Sequence, residues 1–281
     1  MGQYKVYEIK QSIFKANDDA ADVLRAEMKR EHCFLLNLMS SPGSGKTTTL
    51  TRTIEKLGDK MNIGIMEADI DSDVDAERIS NTGVKKVIQL HTGGMCHLDA
   101  DMTRQGLTEM GTDDLDLVVL ENVGNLVCPA EFDTGAAKNA MILSVPEGHD
   151  KPLKYPLIFQ VCDALIINKI DVLPYFDFDM DKVVEFAKMR NPNIKIFPIS
   201  AKTGEGIAEL HARIAEQLQK TYAPVTFVLT FDRFGLVGQI RPLGRVINEE
   251  YTDTGLELTV VLANADRDRL VSKYGKEILK G

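Results

Sequence analysis

The chain has 281 residues, 44% of them hydrophobic and 27% charged, with 33 basic against 42 acidic side chains and a formal net charge of -9. That make-up belongs to a soluble globular protein of one large domain, or one large and one small, and excludes a disordered or collagen-like chain. An acidic chain repels phosphate backbones, which excludes nucleic acid as the main partner, and no apolar run approaches the ~18–20 residues of a membrane span.

The N-terminal segment has no apolar stretch that could serve as a signal peptide. The four cysteines, Cys33, Cys96, Cys128 and Cys162, are widely spaced. No disulfide scaffold is expected, and a cytoplasmic location with free or metal-bound thiols fits. Residues 1–32 read as an irregular start followed by a helix over 19–32 that packs beside the first strand. Strand patterns follow at 34–39, 62–67, 86–90, 116–121, 140–145, 164–168 and 195–199. Helical patterns lie between most of them, as at 46–57, 181–190 and 206–220. This alternation predicts an α/β fold, a mostly parallel sheet with helices on both faces, over 33–221. Ligands of such sheets bind beyond the carboxyl ends of the strands.

Near Thr221 and Pro224 the chain changes character. An apolar strand at 225–229, a glycine-containing helical segment at 234–244, two strands joined at 252–255 and a last helix at 266–279 read as a small α+β extension, 225–281. It carries eight basic and eight acidic side chains, so the excess of acid lies wholly in the first 224 residues. So short a piece buries little apolar surface alone and is expected to dock on the main domain or on a partner.

Ser40-Ser41-Pro42-Gly43-Ser44-Gly45-Lys46-Thr47 follows an apolar strand and opens a helix, which is the setting of a phosphate-binding loop. Gly43 and Gly45 let the backbone curl so that the N–H groups from Ser44 onward face a phosphate, and the helix N-terminus adds its dipole. Lys46 supplies a point charge to the β- and γ-phosphates, and Thr47, with Thr48 beside it, brings a hydroxyl for Mg²⁺. The strict pattern begins with glycine where this chain has Ser40.

Asn168-Lys169-Ile170-Asp171 stands directly after a strand. A carboxylate at Asp171 can accept both the ring N–H and the exocyclic amine of guanine, and adenine offers neither match. Asn168 ties this loop to the phosphate loop, and the Lys169 stem can cover a face of the base. Ser200-Ala201-Lys202, after the next strand, can place a backbone N–H on the guanine oxygen. The nucleotide pair is therefore GTP and GDP.

Asp69 and Glu121 end two strands that flank the phosphate loop if the sheet is wound as expected. Thr47 with Asp69 or Glu121 makes a reasonable Mg²⁺ set. Glu121-Asn122-Val123-Gly124 reads as an acidic group followed by a switch glycine that senses the γ-phosphate. Asp69, Asp71, Asp73 and Asp75 crowd one segment, and one of them can order the attacking water. With Lys46, the catalytic candidates are Asp69, Asp75 and Glu121. No arginine finger is evident in the chain, so hydrolysis is expected to be slow without a partner or a dimer.

Cys96-His97 follows Thr92-Gly93-Gly94, and Cys128-Pro129 follows Gly124 by a few residues. Thiolate and imidazole are ligands preferred by Zn²⁺ and Ni²⁺, and two or three from one chain leave a site open or invite a twofold-related copy to complete it. Isolated loop cysteines are an equally weighted reading of the same spacing. Cys33 and Cys162 lie in apolar surroundings and read as buried thiols.

Taken together, the run from Leu36 to Thr47, Asp73 to Arg78, Thr92 to Ala100, Glu121 to Pro129, Lys151 to Pro156 and Asn168 to Asp171 resembles the HypB family, GTPases of nickel insertion into [NiFe]-hydrogenase. The resemblance covers residues 15–220. It implies a SIMIBI-class fold, a GTP-dependent homodimer and a zinc or nickel site of Cys96, His97 and Cys128 at the dimer interface. It further implies that Lys154 reaches the partner subunit's nucleotide. It also implies that nickel passes to or from a HypA-type metallochaperone, with the hydrogenase large subunit as the indirect client. The nickel-storing N-terminal motif of some members is absent, and the C-terminal piece is outside the usual family pattern. It is faintly similar to the terminal domain of HflX-type GTPases. The alternatives are a urease-type nickel GTPase, a metal-binding carrier and a translation-linked GTP switch. A contiguous Cys-Pro-His motif is missing, which disfavours the first. Intact Lys46, Thr47 and Asp171 disfavour the second, and acidic charge with the Cys-His pair disfavours the third.

Overall fold

Strand β1 (Phe34–Ser40) is apolar at nearly every position and lies at the centre of a sheet completed by β2 (Ile63–Asp69), β3 (Lys86–His91), β4 (Leu117–Glu121), β5 (Lys138–Ser144), β6 (Ala164–Asn168) and β7 (Lys195–Pro198). The computed structural model describes residues 9–59, 61–69 and 79–280. The order is β3-β2-β4-β1-β5-β6-β7, and every neighbouring pair is parallel. A sheet covered on both faces needs continuous rather than alternating apolar runs, and all five residues of β4 are buried.

The covering helices are α1 (Ile9–Arg30), α2 (Lys46–Leu57), α3 (Ala100–Met110), α4 (Cys128–Glu131), α5 (Lys151–Lys154), α6 (Pro156–Val161), α7 (Met180–Arg190) and α8 (Ile207–Thr221). On one face, Leu50, Ile54 and Leu57 of α2 and Leu210 of α8 pack on Leu38, Leu117 and Ile142. On the other, Leu24 and Met28 of α1 and Leu107 of α3 pack on Leu35 and Val118, while Phe159 of α6 and Val183 of α7 pack on Met141 and Leu165.

Helix α1 begins ten residues before the expected 19 and ends at Arg30 rather than at residue 32. Phe14 continues the stripe of Ala21, Leu24 and Met28 at helical spacing, so the polar run between them does not break the helix. His32, with φ 56°, turns the chain from α1 into β1. Of the irregular start expected over residues 1–18, the part from Ile9 onward is helical instead, and residues 1–8 lie outside the described residues.

After α8 the chain enters β8 (Tyr222–Thr230) with no intervening residue. With β9 (Gly244–Thr252) and β10 (Gly255–Ala263) it forms an antiparallel sheet in the order β8-β10-β9. The helical segment expected at 234–244 is broken into two 3-10 turns, Phe231–Leu236 and Arg241–Leu243, flanking the single turn α9 (Val237–Ile240). Gly235, Gly238 and Pro242 explain why no longer helix forms. The last helix, α10 (Asn264–Tyr274), starts two residues early and stops five short of the expected 279, at Gly275 with φ 88°. Phe227, Leu229, Leu256, Leu258, Ile240 and Leu270 form a separate core under this sheet. Among the described residues, contacts to the large sheet's layer include the following. Arg245 pairs with Asp116, the Tyr222 hydroxyl donates to the Lys29 carbonyl at 3.3 Å, and the His32 ring meets Tyr222 edge-on at 5.3 Å. Among the described residues no helix is long and apolar enough to cross a membrane.

Candidate nucleotide and metal site

β1 ends at Ser40 and α2 starts at Lys46, so the phosphate-loop sequence is the turn between them. Gly43 and Gly45 have φ of 73° and 97°, which L side chains rarely adopt. A Cβ at Gly45 would also stand 2.4 Å from Asn168 Nδ2. Lys46 Nζ lies 3.0 Å from Ser40 Oγ and 3.7 Å from Glu121 Oε1. Ser40 Oγ donates to the Ser41 carbonyl at 2.8 Å, so a lone pair is left to face the ammonium. Ser40, standing where the strict pattern has glycine, thus helps to hold the lysine. Thr47 and Thr48 open α2, with Thr47 half-buried and Thr48 exposed.

Asp69 closes β2, in register with His91. Glu121 closes β4, buried, beside Leu38 of β1 and Glu67 of β2. Asp75, with Asp71 and Asp73, lies outside the described residues. Gly124 sits against the phosphate loop, so that a Cβ there would meet the Pro42 ring at 3.0 Å.

One buried amide joins three loops on the base side. Asn168 Nδ2 donates to the Ser44 carbonyl at 2.9 Å, and its Oδ1 accepts from the N–H groups of Lys169 at 2.7 Å and Ala201 at 3.1 Å. Lys169 has φ 65°, and its ammonium donates to the Gly43 carbonyl at 2.6 Å. Asp171 Oδ1 accepts from Ser200 Oγ at 2.7 Å, and Ser200 Oγ accepts from Thr203 N at 3.1 Å. Lys202 is exposed beside them. Asn168, Lys169, Asp171, Ser200 and Ala201 therefore form one bonded cluster with the phosphate loop.

Cys96, in the loop after β3, and Cys128, which opens α4, come together. The Cys128 thiol is pushed up first by the Cys96 thiol against it and then by burial, and Asn125 Nδ2 lies 3.6 Å from Cys128 Sγ. His97 Nδ1 is 3.9 Å from Cys96 Sγ. The imidazole stacks on Phe132, with ring centres 3.9 Å apart and planes 13° apart, and burial lowers its pKa. Two thiols and an adjacent imidazole are the donor chemistry that zinc and nickel take. Among the described residues no three His, Cys, Asp or Glu side chains are grouped closely enough to hold an ion. The structure thus brings the thiols together and leaves His97 on its aromatic neighbour. Cys33 and Cys162 are buried, with thiols pushed up by desolvation. Lys154 is exposed on α5 and pairs with Asp150 at 2.5 Å.

Sequence reasoning missed a row of amides beneath the phosphate loop. Asn122 Nδ2 donates to Asn37 Oδ1 at 3.1 Å, and Asn37 Nδ2 donates to Asn139 Oδ1 at 3.0 Å, which links β4, β1 and β5. The available signal was an asparagine inside an otherwise apolar strand, since such a group must find partners when buried.

The chain matches the family described as "CobW/HypB/UreG, nucleotide-binding domain" over residues 34–198. It is 48% identical over 219 residues to the hydrogenase maturation factor HypB of Azotobacter vinelandii, covering 77% of this chain and 71% of that one. The crystal structure of HypB from Helicobacter pylori in complex with nickel is 38% identical, with a TM-score of 0.68, covering 73% of this chain and 95% of that one. HypB from Archaeoglobus fulgidus is 37% identical with the same TM-score, covering 73% and 99%.

Proposed function

Because the chain belongs to the HypB family, within the CobW/HypB/UreG nucleotide-binding domains, we propose that it is a cytoplasmic GTP-hydrolysing metallochaperone. Its nucleotide state governs dimerisation and nickel handover during [NiFe]-hydrogenase maturation. The reading divides the chain into a segment 1–32, a GTPase domain 33–221 and a C-terminal unit 225–281 of separate role.

GTP is held by the N–H groups of Ser44 and Gly45, by Lys46 and by Thr47 and Thr48, with guanine on Asp171 between Lys169 and the 200–202 turn. Thr47, Asp69 and Glu121 would hold Mg²⁺, which supplies charge neutralisation at the phosphates when bound. In this structure Lys46 is engaged by Ser40 and Glu121. A nucleotide draws the ammonium away from Glu121. Asp75 is the candidate for ordering the attacking water. Gly124 would feel the γ-phosphate, and Lys154 would leave Asp150 for the nucleotide of a second copy in a GTP-dependent homodimer. Cys96 and Cys128, joined by His97, bind the nickel that is cargo, or zinc. The cargo passes to or from a HypA-type metallochaperone and indirectly to the hydrogenase large subunit.

One observation carries the coupling. Gly124 rests on Pro42 of the phosphate loop, and Cys128 follows four positions later. The experiment is nickel and zinc titration of the full chain with GDP and with a non-hydrolysable GTP analogue. The two states should differ at least severalfold, and gel filtration should show a dimer with the analogue. Equal metal affinity in both states ends the coupling, because a ligand without differential affinity shifts no equilibrium.

A further inference from the structure

The two thiols belong to loops that the sheet itself does not bring together. Cys96 lies after β3 and Cys128 after β4, and β2 stands between those strands. Two strand spacings separate β3 from β4 by about 10 Å. Two thiolates on one zinc ion lie only about 4 Å apart. The loops must therefore lean toward each other over the end of β2, and something other than the sheet must hold them there.

The amide that spans them belongs to α1. Asn17 Nδ2 donates to the Asp133 carbonyl at 3.0 Å, five residues past Cys128, and Asn17 Oδ1 accepts from Ala100 N at 3.0 Å, four residues past Cys96. Ala100 opens α3, so Asn17 also satisfies one of that helix's free N–H groups. One turn earlier on the same face, Phe14 packs on Phe132 with ring centres 5.0 Å apart, and Phe132 is the ring on which His97 stacks. Arg25, two turns later, donates to the Ala136 carbonyl at 2.7 Å and pairs with Asp133 Oδ2 at 2.7 Å. The helix thus grips both loops, and both through groups adjoining the sulfur and imidazole donors. It lies before the residues that match the nucleotide-binding domain.

We propose that α1 is a wall of the metal site, with Asn17 and Phe14 as positioning residues that fix the spacing of the two thiols and the setting of His97. This rests on the reading of Cys96 and Cys128 as metal ligands. Asn17 touches no ligand. Its amide fixes the backbone on either side of the pair, as hydrogen-bonded groups behind a metal ligand do, and loss of such groups costs roughly 10–100-fold in affinity. Phe14 acts one ring further back, through Phe132.

The test uses the full chain with GDP bound, titrated with Ni²⁺ and Zn²⁺ against a competing chelator. The Ni²⁺-to-thiolate charge-transfer absorption is recorded alongside. Asn17→Ala should weaken Ni²⁺ roughly tenfold or more and alter that absorption. Asn17→Asp keeps an acceptor for Ala100 N and loses the donor to Asp133, so it should fall between. Phe14→Leu keeps apolar volume and should change the absorption with a smaller loss of affinity. GDP affinity reports that each variant is folded, since the Asn17 and Phe14 partners named above lie outside the phosphate and base loops. A Cys96→Ser/Cys128→Ser variant separates the two ideas. If it binds Ni²⁺ like the unaltered protein, the ligand assignment is wrong. If it loses Ni²⁺ while Asn17→Ala and Phe14→Leu keep both affinity and absorption, the ligand assignment stands and the role of α1 is refuted.

Discussion

The Asn168 side chain is bonded to the carbonyl of Ser44, 124 positions earlier, at 2.9 Å. The base loop and the phosphate loop are thereby tied together by a buried amide. Asn168→Ala leaves the Ser44 carbonyl and the N–H groups of Lys169 and Ala201 without this partner. Buried polar groups deprived of a partner cost about 1–3 kcal/mol each. GDP affinity should fall at least tenfold and the melting temperature by several degrees, read by nucleotide titration and by calorimetry without nucleotide.

Asp171 is held by Ser200 Oγ through one carboxylate oxygen. Asp171→Asn replaces an acceptor with a donor on one side and should discriminate against guanine by roughly a hundredfold or more. The same change should improve binding of xanthosine diphosphate, whose ring carbonyl can accept from the new amide. Competition between the two nucleotides for wild type and variant reads this directly, and an unchanged preference would remove Asp171 from the base pocket.

Acid should destabilise the fold through two buried rings. Burial lowers the pKa of His32, against Asp266 and the Leu243 carbonyl that raise it and alongside Arg245 that lowers it. Burial also lowers that of His211, alongside Lys56. The folded state then resists protonation that the unfolded chain accepts below its ordinary value near 6.5. Stability is complete above that pH and is lost as pH falls from 6.5 toward the lower folded values, by at most about 1.4 kcal/mol per pH unit for each ring. Denaturant unfolding at pH 7.5, 6.5 and 5.5 should show the loss. His211 Nε2 lies 3.2 Å from Thr53 Oγ1, and His211→Gln, which can keep that bond, should flatten the slope.

Thiol chemistry should divide the four cysteines in two. Cys96 and Cys128 are half-buried and reachable by reagent, although the Cys128 thiol is also raised, whereas Cys33 and Cys162 are fully buried with thiols raised by desolvation. Alkylation of the native protein at pH 8 should label only the first two, seen by peptide mass analysis, and Ni²⁺ or Zn²⁺ should protect both. Labelling of Cys162 under native conditions would contradict its packing.

What could be read from the sequence was whatever a short stretch encodes by itself. The turn from Ser40 to Lys46 is set by Gly43 and Gly45, so its place between β1 and α2 was legible. So were the seven strands, because each is an apolar run with polar ends. The role of Ser40 was not, because its hydroxyl matters only through Lys46 and the carboxylate that closes β4. Asn17 was hidden for the same reason, since its partners lie 83 and 116 positions away. The 234–244 segment misled, because its glycines, visible in the sequence, act as breakers there and with Pro242 leave only short turns.

Helix α8 starts at Ile207, just past the Ser200–Lys202 turn, and hands the chain to β8 at Tyr222 with nothing in between. A tether of even a few residues would let the small sheet swivel freely. Here its bearing is inherited from the axis of a helix that springs from the guanine side. The orientation of the appendage is thereby set by the last helix of the large domain rather than by a linker.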